Sequence, residues 1–406
     1  MSALTVGSRA GRNPAKDRVA IAGVGLSPYY RDRQGVTPGS LVAEACIAAL
    51  RDAGLGREDV DGLCGSMVAA QYVQAALGIP EVTWFANPPA VIGNQIVAAV
   101  AAVAAGMCET ALVYHHAYRL PWASRAAARD PFRRRATLGV ADARSGWGTG
   151  HVEGGPNSLI GAVPYAAWAG RYLNDYGYGR ETLGLVALNS RTNAAGNPNA
   201  VFRQPMTMAD YLDGRMIRDP LCVFDMDVPI DGADAFVVTT TERARDLPHP
   251  AVLVHAATLG HTDYGSEEQL ADLDHAGQVV VAAKLWAKSD LRLADVDVFY
   301  PYEGFSNIAL SWFENVGYCA RGEGGAFVAQ HWDESQQRIL IDGRVPVNTN
   351  GGSLSEGGTQ GAAHLREAVL QLRGDAGPRQ VTGARTALVT PGGYYFNSQG
   401  VLLRAD

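Results

Sequence analysis

Apolar residues recur along this chain in short runs that alternate with longer, amphipathic stretches. Residues 18–25 form an apolar run closed by glycines, as in a buried strand. Residues 41–53 carry apolar side chains at helical spacing and stop at Gly54, which is typical of a helix end. The same patterns predict further strands at 109–114, 235–241, 251–255, 296–300, 386–389 and 400–404, and further helices at 306–316 and 362–373.

This alternation of strands and helices in both halves of the chain predicts an α/β fold built in layers. Between the halves, residues 119–198 are rich in Gly, Arg, Tyr and Asn and poor in strand signal. A compact domain seldom carries so long an irregular stretch without a function, so we predict a loop domain that folds over a site. The predicted organisation is a disordered tail at 1–17, an N-terminal half at 18–118 plus 199–248, the loop domain at 119–198 and a C-terminal half at 249–406.

Composition excludes several classes of function. The chain has 406 residues, enough for two or three packed subdomains. Its 34 basic and 41 acidic residues leave a net charge of −7, which does not predict nucleic-acid binding. The apolar run at 96–107 is short of the roughly 20 residues that cross a bilayer, so we predict a helix buried on all sides rather than a membrane span. The first 17 residues lack the apolar core of a signal peptide.

The five cysteines are odd in number, and no pair has the CxxC spacing of a zinc site. We therefore expect reduced thiols in a cytoplasmic protein, without a metal. A nucleotide-binding pattern also fails, because Gly23 and Gly25 follow a strand but Pro28 stands where the third glycine of GxGxxG belongs.

Two motifs carry a family resemblance. NTNGGSLSEGGTQG (residues 348–361) resembles the thiolase signature, in which a GG pair leads to a catalytic His; Gly358 stands at that His position. YEGF (residues 302–305) resembles the Asn-Glu-Ala-Phe or His-Asp-Cys-Phe box of thiolases, with Tyr302 in the Asn or His place. Ala90 and Thr390 fall where the two catalytic cysteines would lie. Thiolase chemistry needs a thiolate that takes the acyl group, so the Claisen reaction is not expected here.

Further similar segments are DGLCGS (61–66), NPNAVFRQPMT (197–207), RMIRDPL (215–221) and PIDGADA (229–235), and together they extend the resemblance over nearly the whole chain. The chain is similar to the sterol-carrier-protein or lipid-transfer-protein branch of the thiolase superfamily. The resemblance implies two βαβαβαββ halves stacked in five layers, an inserted loop domain, and a site near a homodimer interface.

Some members of that branch lack the catalytic Cys and are aldolases that cleave β-hydroxyacyl-CoA thioesters in steroid side-chain degradation. The resemblance implies the same activity here, together with a small acyl-CoA-binding partner that has an OB-fold and a zinc-ribbon-like segment. It implies no cofactor, since CoA is part of the substrate. Those aldolases carry a Tyr matched by Tyr302 and tend to carry a second one at the position of Gly358, which leaves the acid–base pair of this chain open.

Retro-aldol cleavage needs a base for the β-hydroxyl proton and stabilisation of the departing thioester enolate. Tyr302 has the position for the base, and one such group typically contributes about 10²–10⁴-fold. Each candidate also has a purely structural interpretation, such as packing at a strand end or solvation in a turn. The other candidate catalytic residues are Glu303, Glu356, His115, His116, Tyr394 and Tyr395.

Backbone N–H groups near Ala90 and Gly392 match thiolase positions that form an oxyanion hole, and backbone donors survive side-chain substitution. A basic cluster in the loop domain could bind the CoA phosphates or form a solvated helix face. The candidate substrate-binding residues are Arg125, Arg129, Arg133, Arg134, Arg135, Asn348 and Asn350.

The sequence therefore predicts a CoA-thioester aldolase that acts on a bulky, steroid-like acyl group and forms a homodimer. Two alternatives stay open at this point. One is a catalytically silent subunit that binds acyl-CoA or supports a partner enzyme, because all four thiolase side chains are replaced. The other is a Claisen thiolase whose nucleophile has moved elsewhere.

Overall fold

The computed structural model of the chain describes residues 12–31, 35–88, 91–118, 162–262, 272–273, 276–394 and 398–406. In these residues the helices are α1 (Pro38–Ala53), α2 (Ala70–Leu77), α3 (Ile92–Ala104), α4 (Ala162–Tyr176), α5 (Glu181–Ala194), α6 (Met208–Leu212), α7 (Thr241–Ala244), α8 (Gly277–Ala287), α9 (Ser306–Val316), α10 (Gly324–Gln330) and α11 (Ala362–Arg373). The strands are β1 (Val19–Leu26), β2 (Gly62–Gly65), β3 (Trp84–Ala86), β4 (Thr110–Tyr118), β5 (Met216–Arg218), β6 (Leu221–Cys222), β7 (Asp231–Thr240), β8 (Val252–Gly260), β9 (Val298–Pro301), β10 (Trp332–Asp333), β11 (Arg338–Ile341), β12 (Val345–Pro346), β13 (Thr386–Thr390) and β14 (Ser398–Ala405).

Nine of the described strands follow one another in the hydrogen-bonded order β3-β2-β4-β7-β1-β8-β14-β13-β9. The two halves of this order meet at β1 and β8, which pair only at Ala20 and Ile21. In the N-terminal half, β1 lies beside β7, followed by β4 and then β2. In the C-terminal half, β8 lies beside β14, followed by β13 and then β9. The C-terminal half therefore repeats the topology of the N-terminal half. An isolated parallel bridge joins Phe299 of β9 to Val347. It corresponds to the parallel pairing of β2 with β3 in the N-terminal half.

Helices cover both halves and separate them. α3 and α11 each contact strands of both halves, so they form a central layer. Their apolar side chains pack with inward-facing side chains of both halves in one buried cluster. α1 and α2 cover the outer face of the N-terminal half, while α8 and α9 cover that of the C-terminal half. The α/β fold with helix, sheet, helix, sheet and helix layers confirms the fold class that the sequence predicted.

The helix α1 shows how local sequence sets these elements. Thr37 caps its start, since its hydroxyl accepts from the backbone N–H of Ser40 at 3.1 Å. The Ser40 hydroxyl donates to the Thr37 carbonyl at 2.9 Å. Gly54 ends the helix in the left-handed conformation, with φ +67°. The predicted helices 306–316 and 362–373 coincide with α9 and α11.

The helix α3 departs from its prediction as a helix buried on all sides. Ala101 and Ala105 are exposed, and Val97, Ala98 and Ala104 are half-buried. Residues spaced by three or four positions lie on one face of a helix, so these side chains form one apolar stripe at the surface of the single chain. We call these five residues the α3 stripe.

The N-terminal segment also departs from its prediction. Residues 12–17, expected to belong to a disordered tail, lie against the C-terminal half. The Asn13 side chain donates to the backbone carbonyl of His255 at 2.8 Å. Asp17 Oδ1 accepts from Arg404 Nε at 3.0 Å and lies 3.0 Å from His255 Nδ1.

Part of the predicted loop domain is helical. α4 and α5 pack on the C-terminal half and share its outer core cluster. Tyr172 of α4 donates to the buried carboxylate of Glu314 at 2.7 Å, which fastens α4 to α9. Tyr165 of α4 stacks on Phe305 with ring centroids 4.2 Å apart. None of the helices that the structure describes is long and apolar enough to cross a membrane.

Candidate active site

Tyr302 follows directly after β9, where the apolar run VFYP ends. β9 runs parallel to β13, so the carboxyl ends of both strands meet at one edge, and Tyr302 N–H donates to the Thr390 carbonyl at 3.2 Å. The Tyr302 side chain is 8% exposed. Its hydroxyl lies over Gly304, where an added β-carbon would approach the phenol oxygen to 2.4 Å. The glycine of the YEGF box is therefore required by the position of the phenol.

Glu303 joins the YEGF box to the glycine-rich motif. Its buried carboxylate accepts from the backbone N–H of Ser353 at 2.5 Å through Oε1. Its other oxygen, Oε2, lies 2.8 Å from Nε2 of His364. Ser353 belongs to the turn Gly352–Glu356, which is wound as a single π-helical turn, a geometry often found at functional sites. Glu303 thus holds the motif in place rather than projecting into solvent.

Glu356 and Asn350 fix the same motif from inside. Asn350 Nδ2 donates to Glu356 Oε2 at 2.5 Å, and the guanidinium of Arg366 donates to Glu356 Oε1. Arg366 also donates to Asp234 and to the hydroxyl of Tyr29. Burial raises the pKa of Glu356 to about 7. The structure places Glu356 and Asn350 in a buried network that shapes the loop, and their roles in acid–base chemistry and substrate binding stay predictions.

Asn348 lies at the start of the motif in the left-handed conformation, with φ +50°. Its Nδ2 donates to the carbonyl of Pro301, the last residue of β9, at 3.0 Å. Its buried Oδ1 has no hydrogen-bond partner among the residues that the structure describes. Asn348 therefore keeps an acceptor oxygen next to the YEGF box.

The adjacent histidines of β4 point to opposite faces of the sheet. His115 pairs with Asp234 and His116 with Ala233, and directly opposite residues share a face. His115 lies on the central face, where its Nδ1 is 3.4 Å from Ser66 Oγ. His116 lies on the outer face, and burial lowers its pKa to about 4. His116 points away from the central layer, and its role as a catalytic base stays a prediction.

Tyr394 and Gly392 follow β13. The buried hydroxyl of Tyr394 accepts from Asn307 Nδ2 at 2.7 Å, which ties it to the first turn of α9. The Gly392 carbonyl accepts from Trp312 Nε1 at 3.0 Å, and Gly392 has φ +91°. Tyr394 is therefore engaged in the wall behind the YEGF box.

The first turns of α3 and α11 meet at the end of β13. A β-carbon on Gly361 would lie 2.5 Å from Cβ of Pro391 and 3.6 Å from Ile92. This contact brings together the start of α3, the end of the glycine-rich motif and the residue that follows β13. Cys64 also approaches α3, with its thiol 3.5 Å from the Gln95 carbonyl. Burial raises the pKa of that thiol far above its usual range, so it is not a nucleophile.

Several predicted site residues lie outside the described residues: Ala90, Arg125, Arg129, Arg133, Arg134, Arg135 and Tyr395.

Sequence reasoning missed three buried residues, Asp234, His364 and Arg366. His364 and Arg366 follow the glycine-rich motif within α11, in the run AAHLREA. Two basic residues that alternate with apolar ones at the start of this helix could have been read as a signal for buried partners. The partners themselves come from Glu303, 61 residues away, and from Asp234, 132 residues away, and no local pattern names them.

The described side chains that face one another at this site are therefore a phenol, a carboxylate and an imidazole. The ring centroids of Tyr302 and His364 are 6.2 Å apart. Such groups take up and release protons, which is the requirement of a reaction that breaks a bond next to a hydroxyl group.

Known proteins resemble this chain over its length. A family model described as Thiolase C-terminal domain-like matches residues 260–405. The steroid side-chain-cleaving aldolase of Thermomonospora curvata is 33% identical, covering 95% of this chain and 98% of that protein. The 17-hydroxy-3-oxo-4-pregnene-20-carboxyl-CoA lyase of Mycobacterium tuberculosis is 33% identical over 92% of this chain and 96% of its own length.

Solved structures agree. The Ltp2-ChsH2(DUF35) aldolase superposes with a TM-score of 0.81 at 31% identity, covering 97% of this chain and 99% of that one. The acetyl-CoA acetyltransferase of Syntrophomonas wolfei superposes with a TM-score of 0.68 at 15% identity, which shows a common fold alone.

Proposed function

Because this chain belongs to the thiolase superfamily, in the group of its side-chain-cleaving aldolases and CoA lyases, we propose that it cleaves a β-hydroxyacyl-CoA thioester with a bulky, steroid-derived acyl group. It is an enzyme, a carbon–carbon lyase. The observation that carries the substrate chemistry is Tyr302, which lies beside a buried carboxylate and imidazole where a thiolase would present its Asn or His.

The proposed reaction begins when Tyr302 takes the proton of the β-hydroxyl group. The Cα–Cβ bond then breaks, a ketone or aldehyde leaves, and the electron pair moves onto the thioester as an enolate. Backbone N–H groups near Ala90 and Gly392 stabilise the enolate oxygen, a contribution of roughly 3–4 kcal/mol per donor. A proton returned to Cα completes the shortened acyl-CoA.

This reaction needs no acyl-enzyme, and the thiols support that view. Cys108 and Cys222 are buried, and burial raises their pKa to about 12 and about 11. Burial likewise raises the pKa of the half-buried Cys319 to about 12. Thiols in this state provide almost no thiolate at neutral pH, so a Claisen thiolase with a relocated nucleophile is disfavoured.

We also propose that the enzyme works with a small acyl-CoA-binding partner that has an OB-fold and a zinc-ribbon-like segment. The similar solved structure bears the name of a two-component aldolase, Ltp2-ChsH2(DUF35). The arginines between 125 and 135 are proposed to bind the CoA phosphates, because guanidinium groups pair with phosphate bidentately.

A homodimer is proposed from two uncovered apolar features. β3 forms the edge of the sheet, and its Phe85 is 56% exposed. An edge strand leaves backbone groups free to pair with another chain. The second feature is the α3 stripe, on a helix that also contacts β3. A C2 contact that covers both features would bury them at once.

We further propose a cytoplasmic location and a reaction without a cofactor. All five cysteines are free, as expected in a reducing compartment.

The test is to incubate the protein, with and without its partner, with a panel of steroid and aryl β-hydroxyacyl-CoA thioesters. We expect a ketone or aldehyde and a shortened acyl-CoA, and in the reaction of this chain without the partner we expect a chelator and a thiol-alkylating reagent to leave the rate unchanged. Tight binding of the thioesters without cleavage under every condition would instead favour a silent acyl-CoA-binding subunit. Loss of activity on alkylation would revive the Claisen alternative.

A further inference from the structure

The described site contains a buried carboxylate–imidazole pair that the sequence comparison with thiolases does not account for. Glu303 and His364 are 0% and 1% exposed, and their facing atoms lie 2.8 Å apart. His364 belongs to the first turn of α11, six residues after Gly358. The chain thus lacks a histidine at the position where thiolases carry one and supplies an imidazole six residues further on.

We propose that Glu303 and His364 form a proton-holding pair that acts through Tyr302 and replaces the imidazole missing at position 358. The inference rests on the proposed aldolase reaction. His364 takes the proton that the Tyr302 phenol releases, while the phenol oxygen takes the β-hydroxyl proton. The same proton returns through Tyr302 to Cα of the enolate, so the pair ends each cycle unchanged.

The hydrogen-bond pattern decides which nitrogen can do this. A carboxylate only accepts hydrogen bonds, so Nε2 of His364 carries the hydrogen toward Glu303. In the neutral imidazole, Nδ1 then has a free lone pair. Nδ1 is buried and has no hydrogen-bond partner among the described residues. A buried polar atom without a partner typically costs about 1–3 kcal/mol, which is expected where the atom has a functional task.

The groups around His364 leave Nδ1 as the atom that can accept the proton from Tyr302. The Tyr302 hydroxyl does not bond to Nδ1 directly in this structure, but at a ring separation of 6.2 Å one water can join the phenol oxygen to the imidazole nitrogen. The neighbouring titratable and charged groups are already matched with one another. They are Arg366 with Glu356 and Asp234, the hydroxyl of Tyr29 with Asp234, Arg379 with Glu367, and the hydroxyl of Tyr300 with Thr349.

Glu303 has a second task, because its Oε1 also accepts from Ser353 N–H. The carboxylate therefore orients the imidazole and the glycine-rich loop together, and it offsets the positive charge that His364 gains with the proton. His364 and Glu303 are positioning residues in this proposal, since of these three residues only Tyr302 contacts the substrate.

The experiment compares the wild type with His364→Gln and Glu303→Gln in thioester cleavage across pH 5–9. A Gln at 303 can still accept from Ser353, but its amide donates to His364 Nε2 and forces the hydrogen onto Nδ1. Both variants should therefore lose about 10²-fold in kcat with little change in KM, and the pH profile of kcat should change shape.

A double-mutant cycle separates this role from a structural one. If the pair acts through Tyr302, Tyr302→Phe/His364→Gln should be no slower than Tyr302→Phe alone. Multiplicative losses, or a His364→Gln variant with more than half of wild-type kcat, would overturn the inference. If His364→Gln does not fold, Glu303→Gln takes its place in the same double-mutant cycle with Tyr302→Phe.

The matched control is His331→Gln, which removes another His–carboxylate pair. Nε2 of His331 lies 3.0 Å from Oδ1 of Asp342, next to β10 and β11. This variant should leave the kcat profile unchanged. A wild-type enzyme that cleaves no thioester would refute the proposed function itself, whereas an active wild type with an active, unaltered His364→Gln would refute only the pair.

Discussion

The carboxylate of Glu303 fills the space that any side chain at Gly352 would need. A β-carbon built on Gly352 would lie 1.6 Å from Glu303 Oε1, well inside the contact distance of two atoms. The second glycine of the GG pair and the acid of the YEGF box, 49 positions apart in the chain numbering, are thus required by one another. This contact explains why a thiolase-like scaffold keeps the glycine pair after its cysteines have been replaced.

Gly352→Ala should destabilise the protein strongly. The added methyl group must displace Glu303, and the backbone at φ +57° disfavours any side chain. Overpacking typically costs about 1–3 kcal/mol and the left-handed backbone a further 1–2 kcal/mol, so we expect a loss of about 2–5 kcal/mol in the free energy of unfolding. Urea titration followed by circular dichroism measures it.

Gly343→Ala is the matched control. Its φ of +66° is similar, but no atom lies within 4 Å of the added β-carbon. It should lose only about 1–2 kcal/mol, the backbone contribution alone. Equal losses for the two variants would show that the contact with Glu303 is unimportant.

Tyr302→Phe should keep the ring's packing and remove only the oxygen. We expect kcat to fall by about 10² or more while KM and the melting temperature change little. Tyr318→Phe is the control, because the buried Tyr318 hydroxyl has no partner in the described structure and no place at the site. If Tyr302→Phe keeps more than half of the turnover, the acid–base role passes to His115 or Tyr394.

Phe85→Asp and Ala101→Glu should convert a dimer into monomers. Each places a charge in the proposed interface, on β3 or in the α3 stripe, and burying an unpaired charge is costly. Light scattering coupled to gel filtration should show about half the wild-type mass. Ile47→Asp is the control on the outer layer, since Ile47 of α1 is 47% exposed and lies outside that interface. A wild type that is already monomeric at micromolar concentration would refute the proposed dimer.

Stability should fall in mild acid because of His116. Burial lowers its pKa in the folded protein to about 4, against about 6.5 in the unfolded chain. Between these values the unfolded chain binds a proton that the folded protein does not, so stability is lost as the pH falls from about 6.5 to about 4. The largest contribution is about 3 kcal/mol.

His116→Gln removes this proton-binding site. The variant should lose less stability than the wild type between pH 7 and pH 4.5, measured as the free energy of urea unfolding at each pH. All other groups titrate equally in both proteins, so the difference between the two slopes isolates His116. Parallel slopes would contradict the assigned burial effect.

Much of the fold follows from sequence patterns alone. The bounds of α9 and α11 matched their predictions, because each is an amphipathic segment bounded by residues that stop a helix. The YEGF box and the glycine-rich motif were also recognisable, because each is a short contiguous segment. Their glycines are explained by the backbone conformation or by close contacts at those positions. The net charge of −7 also follows from the sequence, because charge is a sum over residues, and it did not predict nucleic-acid binding.

The site itself was decided by tertiary structure. Two adjacent histidines look equivalent in sequence, yet the alternation of a strand sends His115 to the central layer and His116 to the outer one. By sequence Glu356 resembles a free loop carboxylate, but in the folded protein the guanidinium of Arg366 donates to it. The partner of His364 could not be named from the sequence, because Glu303 lies 61 positions away and meets His364 only where β9 and α11 are packed together. Local patterns determine which elements form, whereas the environment of a buried polar group depends on contacts between elements distant in the chain.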